Sequence, residues 1–248
     1  MIHVIGGREV FVAYISARRA NNVPKAHKFI EGTWFVAEGE EAAYRDAGAN
    51  TVIESGVLCR SRNEALELAA LHEVPCLQLS DDLTKLEEPY DLDGKWKARP
   101  LAFEQAVERM LLALDQTGAK LVGVAPTSNA FYYGGKPVRT NAFIVGDMFI
   151  AAPGTPRFDE ELRLKEDYDF TLAHVRKYGT VARCDNVLAS FAHRSNKGGA
   201  VAYRTPEAEQ EAIAVLKRKW PGLVIDNPRR PNEVHTKEKR GTSSSRPT

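Results

Sequence analysis

Residues 74–82 read VPCLQLSDD, and this stretch decides how the chain folds. It has the pattern of a short buried strand that ends on two adjacent carboxylates, Asp81 and Asp82. The preceding segment, SRNEALELAALH at residues 61–72, places apolar residues at helical spacing and predicts an amphipathic helix before the strand. Ligands of α/β sheets bind where strands end, so the two carboxylates mark a candidate site.

The two carboxylates have two interpretations. No basic residue stands beside them before Lys85, so they repel each other unless a cation lies between them. Hard divalent cations such as Mg²⁺ or Mn²⁺ choose oxygen ligands and share them with substrate phosphates. The alternative is a helix cap or a turn, because Ser-Asp-Asp suits both. The stretch by itself leaves the two open.

Strand and helix patterns alternate about four times in the first 82 residues. This alternation predicts an α/β fold with a mostly parallel central sheet, flanked by helices and joined by right-handed crossovers. No G-x-G-x-x-G follows the first strand, and no G-x-x-x-x-G-K-[ST] occurs, which argues against a dinucleotide-binding fold and a P-loop. The segments predicted as strands are residues 10–16, 33–37, 50–54 and 74–82.

The second half continues with similar elements. A helix is predicted at residues 103–116, with Gly118 as its stop, and a strand at residues 120–125. The loop PTSNAFYYGGKPV follows at residues 126–138. Residues 87–100 are charged and contain Pro and Gly, which predicts another loop. The remaining predicted elements are a strand, a turn and a second strand within residues 139–150, a helix ending at residue 178, strands at 181–184 and 187–192, and a helix at 206–220.

Composition limits the class of protein. The 248 residues carry a net charge of +1, which gives no global argument for nucleic acid or membrane as a partner. The N-terminus lacks a signal pattern, and no apolar run approaches the roughly 20 residues that span a bilayer. The cysteines are widely spaced and odd in number, which predicts reduced, mostly buried thiols of a cytoplasmic protein. They are Cys59, Cys76 and Cys184.

One domain is predicted over residues 1–225. From residue 226 the chain is rich in Pro, Ser, Lys and Arg and has no periodicity. This composition predicts a basic, mostly disordered tail at residues 226–248. The tail could contact nucleic acid or could simply keep the protein in solution.

Arginines near strand ends are candidates for binding phosphate. The polar loop SARRANN at residues 16–22 follows the first strand, and guanidinium groups bind phosphate oxygens in pairs. A solvated loop is the alternative. Ser61 can cap the following helix with Glu64, which puts Arg62 in the first turn, where the helix dipole disfavours a cation. Arg62 therefore either faces a ligand anion or lies at the surface.

Acidic residues crowd the start of the helix that ends at residue 178. Glu166, Asp167 and Asp169 suit the helix dipole, so a well-capped helix is the simpler interpretation. The three cannot all face water on one turn, and one of them is expected to face the site as a general base. His193 directly follows a strand and precedes a Gly-rich basic loop at residues 194–199. A lone histidine is more often structural than a ligand.

Together these motifs resemble the nucleotide-sugar glycosyltransferases with the single-sheet GT-A fold, from residue 10 to about residue 204. The run KEDYDFT at residues 165–171 is most similar to the TET-associated glycosyltransferases of phages, and HRSNKGG at residues 193–199 agrees. Ser80 stands where the D-x-D pattern of the family usually has Asp, so Asp82 is favoured as the metal ligand. The landmarks in chain order are Ile15-Ser16 with Arg19-Ala20-Asn21, Glu38, Arg62-Asn63, Ser80-Asp81-Asp82, Lys165-Glu166-Asp167 and His193.

The resemblance implies a metal-dependent enzyme that moves a sugar from a UDP-sugar to the hydroxymethyl group of 5-hydroxymethylcytosine or 5-hydroxymethyluracil in DNA. It implies that Asp82 and His193 hold Mn²⁺ or Mg²⁺. Asp167 or Asp169, with Glu166 beside them, would take the proton of the acceptor hydroxyl or orient the acceptor. The residues implied in donor binding are Ser16, Arg19, Glu38, Arg62, Asp81 and Lys197.

Three other functions remain open at this point. One is a glycosyltransferase whose acceptor is a glycan, lipid, protein or small molecule. Another is a nucleotidyltransferase, although residues 16–22 lack the glycine that such enzymes usually have after the first strand. The third is a non-catalytic DNA-binding module. A DNA acceptor requires a flipped base, for which the rings of Phe131, Tyr132 and Tyr133 are candidates.

Overall fold

The computed structural model describes residues 1–192 and 204–237. Its strands are β1 (Ile2–Ile5), β2 (Arg8–Ile15), β3 (Thr33–Val36), β4 (Thr51–Glu54), β5 (Cys76–Ser80), β6 (Leu83–Leu92), β7 (Lys95–Pro100), β8 (Leu121–Val124), β9 (Val138–Thr140), β10 (Met148–Ala151), β11 (Ala182–Cys184), β12 (Leu188–Phe191), β13 (Val224–Asp226) and β14 (Val234–Thr236). Its helices are α1 (Val23–Ala26), α2 (Glu41–Asp46), α3 (Leu58–Leu71), α4 (Phe103–Thr117), α5 (Glu166–Tyr178) and α6 (Pro206–Lys219). Within these described ranges, no helix has the length and apolar character needed to cross a membrane.

A nine-stranded sheet lies at the centre of the described residues. Its order is β4-β3-β2-β5-β10-β8-β11-β9, and β1 pairs with β2. Neighbours among β2, β3, β4 and β5 are parallel. Strand β10 lies antiparallel between β5 and β8, so β5, β8 and the parallel β11 share one direction. The mostly parallel α/β sheet predicted from the sequence is therefore confirmed.

Both faces of this sheet are covered by helices. On one face Tyr14 stacks on Trp34, with ring centroids 4.6 Å apart, in a core cluster that includes Met110 of α4. On the other face Phe11 and Phe35 pack in a cluster with residues of α3 and α5. Burial on both faces explains why the parallel strands read as almost continuous apolar runs in the sequence.

Residues 87–100, predicted as a loop, instead lie in the hairpin of β6 and β7. Its turn residues Asp93 and Gly94 both have positive φ, at 52° and 76°. Asp-Gly is a strong hairpin signal because the favoured two-residue turns need positive φ at both positions. Most of the hairpin's residues are at least partly exposed and many are polar. The sequence therefore lacks the alternation of apolar and polar residues that would have indicated strands. Strand β12 completes this second sheet by pairing with β6.

The strand, turn and second strand predicted within residues 139–150 are present as β9, the turn at Gly146-Asp147 and β10, but the two strands do not pair with each other. Strand β9 pairs with β11, whereas β10 is inserted between β5 and β8. A further hairpin, β1 with β2, was not predicted, although Gly6 and Gly7 at its turn have φ of 58° and 76°.

Helix α3 begins three residues before the predicted cap. Val57 occupies the N-cap position, and Ser61 lies inside the helix, where its amide donates to the Val57 carbonyl. The Ser61 hydroxyl accepts a hydrogen bond from Ser55 Oγ at 2.7 Å. The predicted capping box is therefore wrong, and Arg62 lies beyond the first turn, on a buried face of the helix.

The C-terminal part of the described chain packs on α5. Strand β13 pairs with β14, and the buried side chains of Val224 and Val234 join a cluster with Trp220 of α6. The predicted boundary at residue 225 falls inside this hairpin, so the prediction of disorder does not hold for residues 226–237. The rest of the predicted tail, residues 238–248, lies outside the described residues.

Candidate functional site

The first four parallel strands end at one edge of the sheet. Ile15 of β2 is in register with both Phe35 of β3 and Ser80 of β5, and Val36 is in register with Glu54 of β4. The residues that directly follow these strands therefore meet at the carboxyl edge, where ligands of such sheets bind. This edge gathers Ser16, Glu38, Asp81 and Asp82, as the sequence predicts.

Asp81 is the centre of a buried network at this edge. Its carboxylate accepts hydrogen bonds from Ser16 Oγ, from Arg19 Nη1 at 3.1 Å and from Asn22 Nδ2 at 3.4 Å. Ser16 Oγ also lies 2.5 Å from the hydroxyl of Tyr44. Burial raises the pKa of Asp81, because the charged form loses water, while Ser16 and Arg19 oppose the rise. Ser16 and Arg19 thus both bind Asp81, which fixes the loop after β2.

Asp82 lies beside this network with a different set of contacts. Its Oδ1 accepts a hydrogen bond from Ser80 Oγ at 2.7 Å, and its Oδ2 lies 3.7 Å from Arg19 Nη1. The amide of Ala192, which follows β12, donates to the Asp82 carbonyl at 3.0 Å. His193 and Lys197, the other predicted metal and phosphate ligands, lie outside the described residues.

A divalent cation fits the donor chemistry of Asp82. Mg²⁺ is commonly held by one or two carboxylates together with substrate phosphates and water, so a single strand-end carboxylate is a sufficient protein anchor. Residues 1–192 and 204–237 contain no cluster of three or more His, Cys, Asp or Glu side chains arranged as a metal cage.

Glu38 is exposed at the end of β3. Its carboxylate faces Gly56 after β4, where an added Cβ would lie 3.8 Å from Glu38 Oε1. An open groove of about 390 Å³ lies along the loop after β2 and helix α2. Its lining residues are Arg18, Ala20, Asn21, Glu40, Ala43 and Tyr44.

The acidic helix start brings Glu166 and Asp167 to the neighbouring part of the edge. Glu166 is buried and accepts from Arg62 Nη2 at 3.4 Å. Asp167 accepts from the amide of Gly146 at 3.3 Å and from that of Tyr168 at 2.9 Å. Since Gly146 precedes Asp147, whose carbonyl accepts from the Ser80 amide at 2.7 Å, this region joins the end of β5.

Asp167 has an unusual protonation equilibrium. Burial raises its pKa to about 7, and the negative charges of Glu166 and Asp147 contribute to the rise. The Arg62 guanidinium and the Gly146 amide oppose it. A carboxylate that changes protonation near neutral pH is well matched to proton transfer in this pH range.

Asp169 is not part of the site. It is buried on another face of α5, where it accepts from Trp220 Nε1 at 2.7 Å and from Lys219 Nζ at 2.8 Å. A separation of two positions along a helix corresponds to a rotation of about 200°, so Asp167 and Asp169 point in nearly opposite directions. The structure thus assigns Asp169 to helix packing and leaves Asp167 at the edge.

The sequence did not single out Asp147 as a site residue. It lines a cavity of about 240 Å³ between the end of β8, the start of β10 and β12. The Gly146-Asp147 pair suggested only a turn, because the insertion of β10 beside β5 was not predictable from periodicity. The cavity is lined by Val124, Ala125, Pro126, Thr127, Ser128, Val145, Asp147, Ala189, Ser190 and Phe191.

Comparison with known proteins places the fold. No protein-family model and no curated protein matches the sequence. Solved structures of 14 chains match. One is the mannosyltransferase PcManGT from Pyrobaculum calidifontis in complex with GDP-Man and Mn²⁺, at a TM-score of 0.53 and 14% sequence identity.

The match to that mannosyltransferase covers 84% of this chain and 64% of the other chain. The present chain therefore spans less than two thirds of its length. At this identity the likeness concerns the fold, and it confirms the predicted GT-A-like α/β class.

Proposed function

We propose that the chain is a glycosyltransferase that uses a nucleotide-sugar donor. One observation carries the proposal: Asp82 and Asp167 reach the same edge of the sheet and are joined there through Ser80 and residues 146–147. A strand-end carboxylate suited to a phosphate-bound cation thus adjoins a carboxylate suited to proton transfer. The fold shared with a mannosyltransferase supports the same activity.

The donor would lie over the carboxyl ends of β2 to β5. Glu38, exposed at this edge, is positioned for the ribose or the base. We propose a UDP-sugar, as the family resemblance implies. A GDP-sugar is the alternative, because the solved mannosyltransferase contains GDP-Man.

The metal ligands of this chain would be Asp82 and His193. A divalent cation held there would neutralise charge on the diphosphate as it leaves. Arg19, whose guanidinium lies beside both strand-end carboxylates, adds fixed positive charge at the same place. Lys197 is proposed as a further phosphate contact.

Asp167 would act on the acceptor. In an inverting reaction its deprotonated carboxylate takes the proton of the acceptor hydroxyl. In a retaining reaction the same carboxylate would orient the acceptor. Its pKa of about 7 keeps a substantial ionised fraction at neutral pH.

The acceptor is proposed to be DNA that carries 5-hydroxymethylcytosine or 5-hydroxymethyluracil, as in the TET-associated family. The loop that follows residues 124–128 of the 240 Å³ cavity carries Phe131 and Tyr132, which are 77% and 69% exposed. Both rings are therefore accessible for stacking on a flipped base. The next ring, Tyr133, packs edge-on against Trp96 of β7 at 4.6 Å between centroids. Trp96 lies between Lys95 and Lys97, which could contact the DNA backbone.

A second acceptor class has one observation in its favour. The net charge of +1 is low for a protein that binds DNA, which favours a glycan, a protein or a small molecule. With either acceptor we propose a cytoplasmic location, where the three buried free cysteines stay reduced.

A combined donor and acceptor screen tests this proposal. The protein is incubated with Mn²⁺, duplex DNA carrying 5-hydroxymethylcytosine and a panel of UDP- and GDP-sugars, and the nucleosides are read by mass spectrometry. A sugar mass on the modified base is the expected result, with unmodified DNA and the Asp82→Ala protein as controls. Slow hydrolysis of one nucleotide sugar without DNA product would retain the glycosyltransferase and reject the DNA acceptor. If neither activity occurs while DNA is bound, the chain is a binding module.

A further inference from the structure

Arg62 lies inside the protein, whereas the sequence left it between a ligand anion and the surface and the family resemblance implied a role in donor binding. Its side chain is 9% exposed. The guanidinium carbon lies 5.5 Å from the ring centroid of Phe149 and 5.2 Å from that of Phe158. Aromatic rings attract a guanidinium and shield it from water. This environment suits an arginine that binds other residues of the protein better than one that binds the diphosphate of a ligand.

The hydrogen bonds of Arg62 fix its orientation. Nη1 donates to Gln78 Oε1 at 3.2 Å, and Gln78 Nε2 donates back to the Arg62 carbonyl at 2.8 Å. Gln78 is fully buried in β5, so the guanidinium is tied to the centre of the sheet. The other side of the guanidinium, which carries Nη2, points towards the acidic start of α5.

On the side of the guanidinium that faces α5, Arg62 Nη2 donates to the carbonyl of Gly146 at 2.9 Å and to Glu166 Oε1 at 3.4 Å. The amide of the same glycine donates to Asp167. Gly146 thus connects Arg62 to Asp167 through a single residue. A side chain does not fit there, because an added Cβ would lie 2.8 Å from Arg62 Nη2.

We propose that Arg62 is a positioning residue for Asp167, which it holds through Gly146 and through the charge of Glu166. This inference rests on the proposed function, in which Asp167 serves the acceptor hydroxyl. Among the residues that the structure describes, the charged groups that face Asp167 are Glu166 on its own helix, Asp147 before β10 and Arg62 on α3.

The proposal predicts opposite effects of two substitutions. Arg62→Met removes the positive charge that favours ionised Asp167, so the acid limb of the pH–rate profile should move up by about one pH unit. Glu166→Gln removes a negative neighbour, so the same limb should move down. Arg60→Met, on the exposed side of the same helix, is the matched control and should leave the limb in place.

Two readouts separate this inference from the proposed function. The pH–rate profile is measured for glycosyl transfer or donor hydrolysis. The carboxyl ¹³C signal of Asp167, assigned with Asp167→Asn, is titrated without substrate. Loss of turnover in Asp167→Asn is expected from the proposed function; retained turnover would reject Asp167 as the acting carboxylate, while the NMR titration would still test Arg62.

Shifts of opposite sign in both readouts support the positioning role. The positioning role is overturned if neither the acid limb of the pH–rate profile nor the NMR titration of Asp167 shifts, or if both substitutions shift them in the same direction. If Arg62→Met does not fold, Glu166→Gln and Arg62→Lys decide the question. Lysine keeps the charge but cannot reach Gln78 and Gly146 together, so it should lower kcat at least tenfold with an unchanged KM for the donor. A raised donor KM with an unchanged kcat would instead return Arg62 to phosphate binding.

Discussion

Replacing Asp169 by alanine should weaken the fold without touching the chemistry. The carboxylate is buried and accepts charge-assisted hydrogen bonds from Trp220 and Lys219. In Asp169→Ala the buried Trp220 N–H loses its acceptor, at a cost of about 1–3 kcal/mol. Lys219 keeps Asp159 as a partner and is partly exposed, so the loss of its ion pair with Asp169 adds about 1 kcal/mol or less. We expect a total destabilisation of about 3 kcal/mol.

Asp169→Asn provides the matched comparison. Its amide oxygen can still accept from Trp220, so only the charge interaction with Lys219 is lost, and we expect about 1 kcal/mol. Urea unfolding at pH 7, followed by tryptophan fluorescence and circular dichroism, measures both values. Under conditions where each variant is folded, kcat should stay within about twofold of the wild type.

Two results would refute this account of Asp169. Equal stability of the Ala and Asn variants would show that the Trp220 hydrogen bond contributes nothing. A variant as stable as the wild type but unable to transfer sugar would return Asp169 to the active site. Either result would also weaken the argument that the rotation of α5 separates Asp169 from Asp167.

Further predictions concern the site and the ends of the chain. Asp82→Ala should lower metal-dependent transfer at least 100-fold under conditions where the variant is folded; a variant with normal turnover would reject Asp82 as metal ligand. The wild-type rate should fall as pH decreases through about 7, where Asp167 takes up its proton. Because the pKa of Asp167 is raised from 3.8 to about 7 in the folded protein, its ionisation destabilises the fold progressively above about pH 4 and fully above pH 7. Asp167→Asn should therefore increase the unfolding free energy at pH 8 by about 1 kcal/mol while it lowers kcat. Gly146→Ala should cost about 1–3 kcal/mol, since its Cβ would collide with Arg62. A chain ending at Lys237 keeps both hairpin strands, so any loss of salt-sensitive DNA binding would belong to residues 238–248.

Local patterns predicted the scaffold well. The strands β2 to β5 were found because each is an apolar run buried on both faces, a property that the sequence shows directly. Helix α4 was found from its apolar stripe and from Gly118, which ends the helix in the left-handed conformation at φ 67°. These features depend on neighbours within a few residues.

Features that depend on distant partners were missed. The place of β10 between β5 and β8 follows from pairing with residues that lie 26 (Phe149 with Gly123) to 75 (Ala151 with Cys76) positions away in sequence. Periodicity carries no information on such pairing. Asp147 was overlooked for the same reason, because its relation to Asp167 exists only once β10 is inserted.

Arg19 and Arg62 show why residue type alone did not assign the site. Arg19 follows the first predicted strand, and Arg62 lies in the helix before the strand at residues 74–82. The sequence left each as a candidate for binding an anion, and the family resemblance implied donor binding for both. In the structure Arg19 stays at the carboxyl edge, bound to Asp81 and close to Asp82, where an incoming diphosphate would compete with two carboxylates for the same guanidinium. Arg62 is instead held inside the protein by its bonds to Gln78 and to Gly146. The side chains of Arg19 and Arg62 are almost equally buried, at 11% and 9% exposed, so the two arginines are distinguished by their partners. These partners lie 16 to 84 residues away along the chain.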